Sequence, residues 1–250
     1  MGTRAISFDL FDTLVDLSME NLPLVEVGGR KFRSTLKALH QVAARHSDID
    51  FESFGQMLLA VDSELRPETY ERGLELPTIR RFGLLVQRLE IDAPDLAEQL
   101  TQTHMAGIYG QTRFLPHHPE VLEGLRGRVV LGVCSNFSHA PTAERVLTDA
   151  GLRPHFDAVT ISEGVGIRKP RPEIFEALLA DLDVPPEEAV HVGDDLSSDI
   201  DGAARVGMRT AWIQRRVADP ERALEKHHGA RPTWIIRDLA ELLEILEATC

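Results

Sequence analysis

Four segments of the chain place polar residues directly after an apolar stretch. The first stretch, residues 5–10, contains Asp9, and the later ones lead into Ser135-Asn136, Lys169 and Gly193-Asp194-Asp195. Apolar runs of this length predict buried strands of a parallel sheet, whose interior would not accept an unpaired carboxylate. Open α/β sheets bind ligands at the carboxyl ends of their strands. We therefore expect the polar residues to meet near Asp9.

The remainder of the sequence predicts two kinds of structure. Apolar stripes at helical spacing indicate four helices between about residues 34 and 110, with residues 16–29 as an irregular, flexible connector. From residue 116 onwards, short apolar runs alternate with helical patterns, which is typical of a parallel sheet with helices on both faces.

In type, order and spacing, the four segments resemble the motifs of the haloacid dehalogenase-like hydrolase superfamily, and the match spans nearly the whole chain. The phosphatase-like branch is the most similar. The resemblance implies an α/β fold: a Rossmann-like, doubly wound parallel sheet with an all-helical cap domain inserted after the first strand. We expect residues 1–16 and 112–250 to form the core domain and residues 17–111 to form the cap.

The candidate catalytic residues are Asp9 and Lys169. A carboxylate can attack phosphorus or an activated carbon and form a covalent intermediate. A lysine supplies a compact positive charge where negative charge collects on a transferring phosphoryl group. Ser135 and Asn136 are the candidate substrate-binding residues, because a hydroxyl and nearby backbone N–H groups can hold an anionic oxygen.

The carboxylates of Asp194, Asp195 and Asp199 indicate a metal cofactor, because three acids gathered near Asp9 would repel one another without a cation. Mg²⁺ prefers such hard oxygen ligands. By resemblance, the ligands are Asp9, Asp194 and the backbone carbonyl of Phe11. Supporting roles around the site fall to Thr13, Asp195 and Asp199.

Phe11 departs from the phosphatase pattern, which has a second aspartate at this position as the general acid and base. Asp12 is displaced by one residue, so we expect it to point elsewhere. Three functions stay open: a Mg²⁺-dependent phosphatase that favours good leaving groups, a 2-haloacid dehalogenase, and a catalytically weak binding protein. A halide leaves without a proton, and the dehalogenases also carry a bulky aromatic residue here. The Gly193-Asp194-Asp195 segment favours the phosphatase.

The net charge and the cysteine content limit which binding partners and which cellular compartment we expect. The net charge of −13 disfavours nucleic acids and anionic membranes, but a local basic pocket could still take a small anionic substrate. The two cysteines, Cys134 and Cys250, indicate no disulfide framework, and the absence of a signal peptide fits a cytoplasmic protein. We expect a monomer or a homodimer.

The sequence assigns no functional role to the histidines. His117 and His118 could form a metal pair, but a solvated turn before a helix is the favoured interpretation. His191, inside an apolar run, is expected to be a packed and hydrogen-bonded core residue.

Overall fold

The computed structural model describes residues 2–249 and divides the chain into two compact units. The core unit comprises Met1–Asp16 and Phe114–Cys250, and the inserted unit comprises Leu17–Arg113. The strands are β1 (Ala5–Phe8), β2 (Asp16–Leu17), β3 (Leu24–Val27), β4 (Arg30–Arg33), β5 (Thr112–Arg113), β6 (Val130–Ser135), β7 (Ala158–Ile161), β8 (Ala189–Gly193), β9 (Arg209–Ile213) and β10 (Trp234–Ile236). The helices are α1 (Leu36–Ala43), α2 (Phe51–Leu65), α3 (Thr78–Arg88), α4 (Leu96–Tyr109), α5 (His118–Leu125), α6 (Ala140–Asp149), α7 (Ser162–Val165), α8 (Pro172–Leu182), α9 (Asp201–Arg205), α10 (Pro220–Lys226) and α11 (Glu241–Thr249).

The core unit is built on a six-stranded sheet in the order β10-β9-β8-β1-β6-β7. Every residue of β1 and β8 is buried, so both faces of the central strands are covered. The parallel register pairs Phe8 with Val133 on one side and with Val192 on the other. The predicted α/β parallel sheet is confirmed, and its register brings the ends of β1, β6 and β8 to one edge.

Not every polar segment follows a strand. Lys169 lies in the loop between α7 and α8, where its peptide bond to Pro170 is cis. After β8, a π-helical turn, Leu196–Ile200, precedes the short helix α9.

The inserted unit contains the four predicted helices, α1 to α4, around its own apolar core. The residues of that core on α2 include Phe54, Leu58 and Val61. Asp50 caps the start of α2, where its Oδ1 accepts a hydrogen bond of 2.9 Å from the backbone N–H of Ser53. Helical spacing therefore predicted these elements well.

The prediction of a flexible connector at residues 16–29 is wrong, and the inserted unit is not entirely helical. β3 and β4 form an antiparallel hairpin in which Val25 and Val27 are buried. Its turn is Gly28-Gly29, whose φ angles of 57° and 73° are the left-handed values that such tight hairpin turns require. The backbone N–H of Gly28 also donates to Glu52 at 2.7 Å, which ties the turn to α2.

Across residues 2–249, we find no helix whose length and hydrophobicity would allow it to cross a membrane. Cys134 is a buried, free thiol, whereas Cys250 lies outside the described residues.

Candidate active site

A buried ion cluster lies where β1 and β8 end. The Lys169 ammonium donates to Asp9 Oδ1 at 2.7 Å and to Asp199 Oδ1 at 2.6 Å. The side chains of Lys169 and Asp199 are each only 2% exposed. Asp9 follows β1, and its backbone N–H donates to the Val192 carbonyl, which holds it against β8. The parallel sheet thus places the carboxylate, and the loop before α8 delivers the lysine to it.

Asn136 and His191 hold Lys169 and Asp199 in place through hydrogen bonds. The Asn136 side chain accepts a hydrogen bond from the Lys169 backbone N–H at 2.7 Å and donates to its carbonyl at 3.0 Å. His191 Nε2 lies 3.1 Å from Asp199 Oδ1, and Ser7 Oγ lies 2.7 Å from His191 Nδ1. Burial lowers the pKa of His191, so the neutral ring donates to Asp199 and accepts from Ser7. The expectation of a packed, hydrogen-bonded His191 is confirmed.

The turn after β8 brings further carboxylates to the cluster. Gly193 permits a close approach, because a Cβ there would lie 2.2 Å from the carboxyl carbon of Asp199. Asp199 Oδ2 accepts from the backbone N–H of Asp195 at 3.0 Å. The exposed Asp195 side chain caps the π-helical turn through the backbone N–H groups of Ser197 and Ser198. Asp194, directly before Asp195, has a carboxylate oxygen within 4.8 Å of one oxygen each of Asp9 and Asp199.

Opposing charges set the protonation of the cluster. Burial alone would lower the pKa of Lys169, but Asp199 and Asp9 outweigh it and raise that pKa, so the side chain stays cationic. Burial would raise the pKa of Asp199, yet Lys169 and His191 together lower it. For Asp9, burial and the charge of Asp199 prevail over Lys169 and raise the pKa.

The donor set fits a divalent metal ion. Asp9, Asp194 and Asp199 each offer a carboxylate oxygen, and these three atoms lie within 4.8 Å of one another. Lys169 offsets only part of their charge. Burial, followed by the charges of Asp9 and Asp199, therefore raises the pKa of Asp194 to about 8. A hard cation with oxygen ligands, such as Mg²⁺, would relieve this repulsion.

Phe11 follows Asp9 by two residues, and its side chain has no polar group. Its half-buried ring packs against Phe137, with ring centroids 4.9 Å apart. Asp12 adopts φ 60° and accepts a hydrogen bond of 2.9 Å from Arg216 Nε, so its carboxylate is held by a residue after β9. Thr13 is fully buried.

Most residues of this cluster were predicted from the sequence, but several contributors were not. The structure brings Asp9, Lys169, Asp194 and Asp199 together, and it buries Ser135 at the end of β6. The missed residues are Ser7, Phe137, Trp212, Arg215 and Arg216. Trp212 Nε1 donates to the Asp194 carbonyl at 2.7 Å, and Arg215 pairs with the buried Asp16. An aromatic residue within a strand or an arginine in a loop carries no local signal for such contacts.

Comparison with known proteins finds a matching family model and similar relatives. The family model for "haloacid dehalogenase-like hydrolase" matches residues 3–207. The glyceraldehyde 3-phosphate phosphatase of Pyrococcus furiosus is 30% identical over 253 residues, which cover 98% of this chain and 93% of that protein.

Solved structures of similar proteins share the fold. A 2-haloacid dehalogenase from Pseudomonas syringae has a TM-score of 0.73 and 24% identity, covering 99% of this chain and all of that one. A HAD phosphatase from Thermococcus onnurineus has a TM-score of 0.61 and 26% identity, covering 98% of each chain.

Proposed function

This chain belongs to the haloacid dehalogenase-like hydrolase family, and on that premise we propose that it is a Mg²⁺-dependent phosphatase acting on a small phosphorylated metabolite. One observation carries the proposal: Lys169 bridges Asp9 and Asp199, with Asp194 beside them, at the ends of the central strands. This arrangement joins a nucleophile, a fixed cation and an acidic pair for a metal. The phosphatase names of the P. furiosus and T. onnurineus relatives support the same reaction.

In this mechanism Asp9 is the nucleophile. One of its carboxylate oxygens attacks phosphorus, the bond from phosphorus to the leaving oxygen breaks, and the leaving group departs with the bonding electron pair. Water then attacks the phosphorus of the aspartyl phosphate, which releases phosphate and restores Asp9. Lys169 stays protonated throughout, because its two carboxylate partners raise its pKa.

The other predicted residues serve binding. Asp9, Asp194 and the carbonyl of Phe11 would hold Mg²⁺, which supplies positive charge to the phosphoryl oxygens. Ser135, at the end of β6, would donate its hydroxyl to a phosphoryl oxygen. Asn136 would act by positioning, since both amide contacts go to the backbone of Lys169.

Asp199 and Asp195 would act at one remove from the substrate. Asp199 fixes the Lys169 ammonium, and Asp195 fixes the turn that carries Asp194. We also propose that the inserted unit provides substrate selectivity, as a cap does.

Phe11 favours one alternative, a 2-haloacid dehalogenase. No carboxylic acid stands at that position to protonate a leaving alkoxide, and a halide leaves without a proton. The acid pair of Asp194 and Asp195 weighs against this reaction, because attack of Asp9 on carbon with loss of halide needs no further carboxylates for a metal.

A substrate screen separates the two reactions. Purified protein would be assayed on glyceraldehyde 3-phosphate, other sugar and nucleoside phosphates, an aryl phosphate and 2-haloacids, with Mg²⁺ or with excess chelator. We expect phosphate release only with Mg²⁺, and its loss in Asp194→Asn. Halide release that persists in chelator would establish the dehalogenase instead. The exposed variant Asp48→Asn is the matched control and should behave as wild type.

A further inference from the structure

A second cluster of potential ligands lies in the core unit, away from the acidic site. His117, His118 and Asp238 each offer one side-chain nitrogen or oxygen, and these atoms lie within 4.8 Å of one another. The histidines stand at the start of α5, and Asp238 lies between β10 and α11. The favoured solvated turn is wrong for His118, which is fully buried.

The hydrogen bonds of His118 define which of its nitrogens can bind. Its Nδ1 lies 2.9 Å from the Leu14 carbonyl, which can only accept, so Nδ1 carries the proton. In the neutral ring with Nδ1 protonated, Nε2 is the acceptor, and it is buried with no hydrogen-bond partner among the described residues. A buried acceptor without a partner is rare in folded proteins.

The tautomer is the one found in metal-binding histidines. Such residues almost always donate their second ring N–H to a carbonyl or carboxylate, which fixes the ring and leaves the other nitrogen for the metal. The Leu14 carbonyl supplies this contact. The ring of His117 stands next to that of His118, with centroids 4.6 Å apart.

Hydrogen bonds also fix the position of Asp238. Its Oδ1 accepts from the Ala240 backbone N–H at 2.9 Å, and its Oδ2 lies 2.9 Å from His117 Nε2. Its own backbone N–H donates to Glu241 at 3.0 Å. The His117 Nε2 and Asp238 Oδ2 atoms already face each other, so a metal ion that takes the place of the hydrogen bond between them would gain two ligands.

We propose that His117, His118 and Asp238 form a binding site for a borderline transition metal ion of the Zn²⁺ class. Two imidazoles and one carboxylate are a donor set suited to zinc, cobalt, nickel or copper, whereas magnesium prefers oxygen alone. The acidic cluster around Asp9 contains only carboxylates and so differs from this site in metal preference. Metal bound here would tie the start of α5 to the loop before α11.

Zinc titration of the full chain tests the site. Metal-stripped protein would be titrated calorimetrically with Zn²⁺ in excess Mg²⁺, which keeps the acidic cluster occupied. We expect one Zn²⁺ per chain, a binding constant reduced by roughly 10-fold or more in both His117→Asn and Asp238→Asn, and no change in Asp194→Asn. The exposed His228→Asn is the control and should bind as wild type.

Co²⁺ gives an independent readout of the ligands. Nitrogen ligation in a low-coordinate site should give visible absorption bands that disappear in His117→Asn, even if His118→Asn does not fold. The absence of stoichiometric Zn²⁺ binding in wild type would overturn the proposal. Equal binding by wild type and the His117 and Asp238 variants would overturn it too, as would loss of binding in Asp194→Asn.

Discussion

The core unit and the inserted unit differ in the charge of the polar side chains that they bury and pair. In the core, the Lys169 ammonium lies against two carboxylates, those of Asp9 and Asp199. In the inserted unit, Thr35 Oγ1 meets Nδ1 of a neutral histidine, His104, at 2.6 Å. Ion pairs of the inserted unit, such as Arg88–Glu64, lie at its surface instead.

The two units therefore differ in how they bury charged groups. Removing ions from water costs several kcal/mol per ion, so a buried ion cluster is weak evidence for stability. The inserted unit has an apolar core and the neutral Thr35–His104 hydrogen bond. Its buried carboxylate, Glu75, accepts a hydrogen bond of 2.8 Å from the backbone N–H of Leu76. The core unit buries a lysine between two carboxylates at the edge where β1 and β8 end.

The largest effect is expected from Lys169→Met, which removes the cation and keeps most of the side-chain volume. Asp9 and Asp199 would be left as buried charges without a partner. We expect the free energy of unfolding to fall by about 3–5 kcal/mol in urea titrations. Turnover should fall by roughly 10²–10³-fold, since a fixed charge near the reacting phosphoryl group is lost.

Lys37→Met is the matched control, because Lys37 is exposed on α1. It should leave both quantities unchanged. A Lys169→Met protein with wild-type stability would show that the core charges are not coupled as the geometry indicates.

The sequence predicted the ion cluster but not the supports that hold it. Asp9 and Asp194 follow strands, and the carboxyl ends of parallel strands lie at one edge of the sheet. The proximity of the two carboxylates could therefore be predicted from the sequence. Lys169 lies in a loop and was assigned through the family resemblance. The contact of Arg216 with Asp12 joins positions 204 residues apart, and no local pattern encodes such a pairing.

The hairpin was missed for a related reason. A Gly-Gly pair is compatible with a flexible connector, and here the same pair forms a tight turn. The deciding signal was the alternation in Leu24–Val27, where every second residue is buried. Four residues are too few to separate that pattern from chance, and packing against α2 supplies what propensity does not.

Phe11→Asp adds a carboxyl group to the core cluster and tests the missing general acid. Neighbouring carboxylates should raise the pKa of the new group and favour its protonated, proton-donating form. We expect turnover of alkyl phosphates to rise by up to roughly 10²-fold, with little gain on aryl phosphates.

Rates measured over a series of leaving groups check this expectation. Wild type should show a steep dependence on leaving-group pKa, and the variant a flatter one. If wild type cleaves alkyl and aryl phosphates equally fast, another acid is in place, and Asp12→Asn would then identify or exclude Asp12.

His104 should make the inserted unit sensitive to acid. Burial, followed by the charge of Arg81, lowers the pKa of His104 to about 3 from an ordinary 6.5. Between these values the unfolded chain binds a proton that the folded one does not. Stability should therefore fall as pH drops below about 6.5, by at most about 1.4 kcal/mol per pH unit.

Amide hydrogen exchange in α1 and α4 at a series of pH values would measure this loss. His104→Asn should flatten the profile between pH 6.5 and 3, and exposed His46→Asn should not. An unchanged profile in His104→Asn would mean that other groups carry the acid sensitivity.

The smallest effect is expected from Arg81→Gln at the surface of the inserted unit. Arg81 contacts both carboxylate oxygens of Asp62 at 2.5 Å, but the side chains are 21% and 37% exposed. The pair is only partly exposed and its contact is bidentate, so we expect its loss to cost about 1 kcal/mol, the upper end for surface pairs, which urea unfolding can resolve. A loss as large as that of Lys169→Met would remove the contrast between the two units.

Trapping of the covalent intermediate tests the role of Asp9 most directly. Protein mixed with substrate and Mg²⁺ would be quenched in acid within one turnover, digested and analysed by mass spectrometry. We predict one phosphoryl group on the peptide that contains Asp9, absent in chelator and in Asp9→Asn. Phosphate release at the wild-type rate by Asp9→Asn, or a phosphoryl group on another residue, would contradict the account.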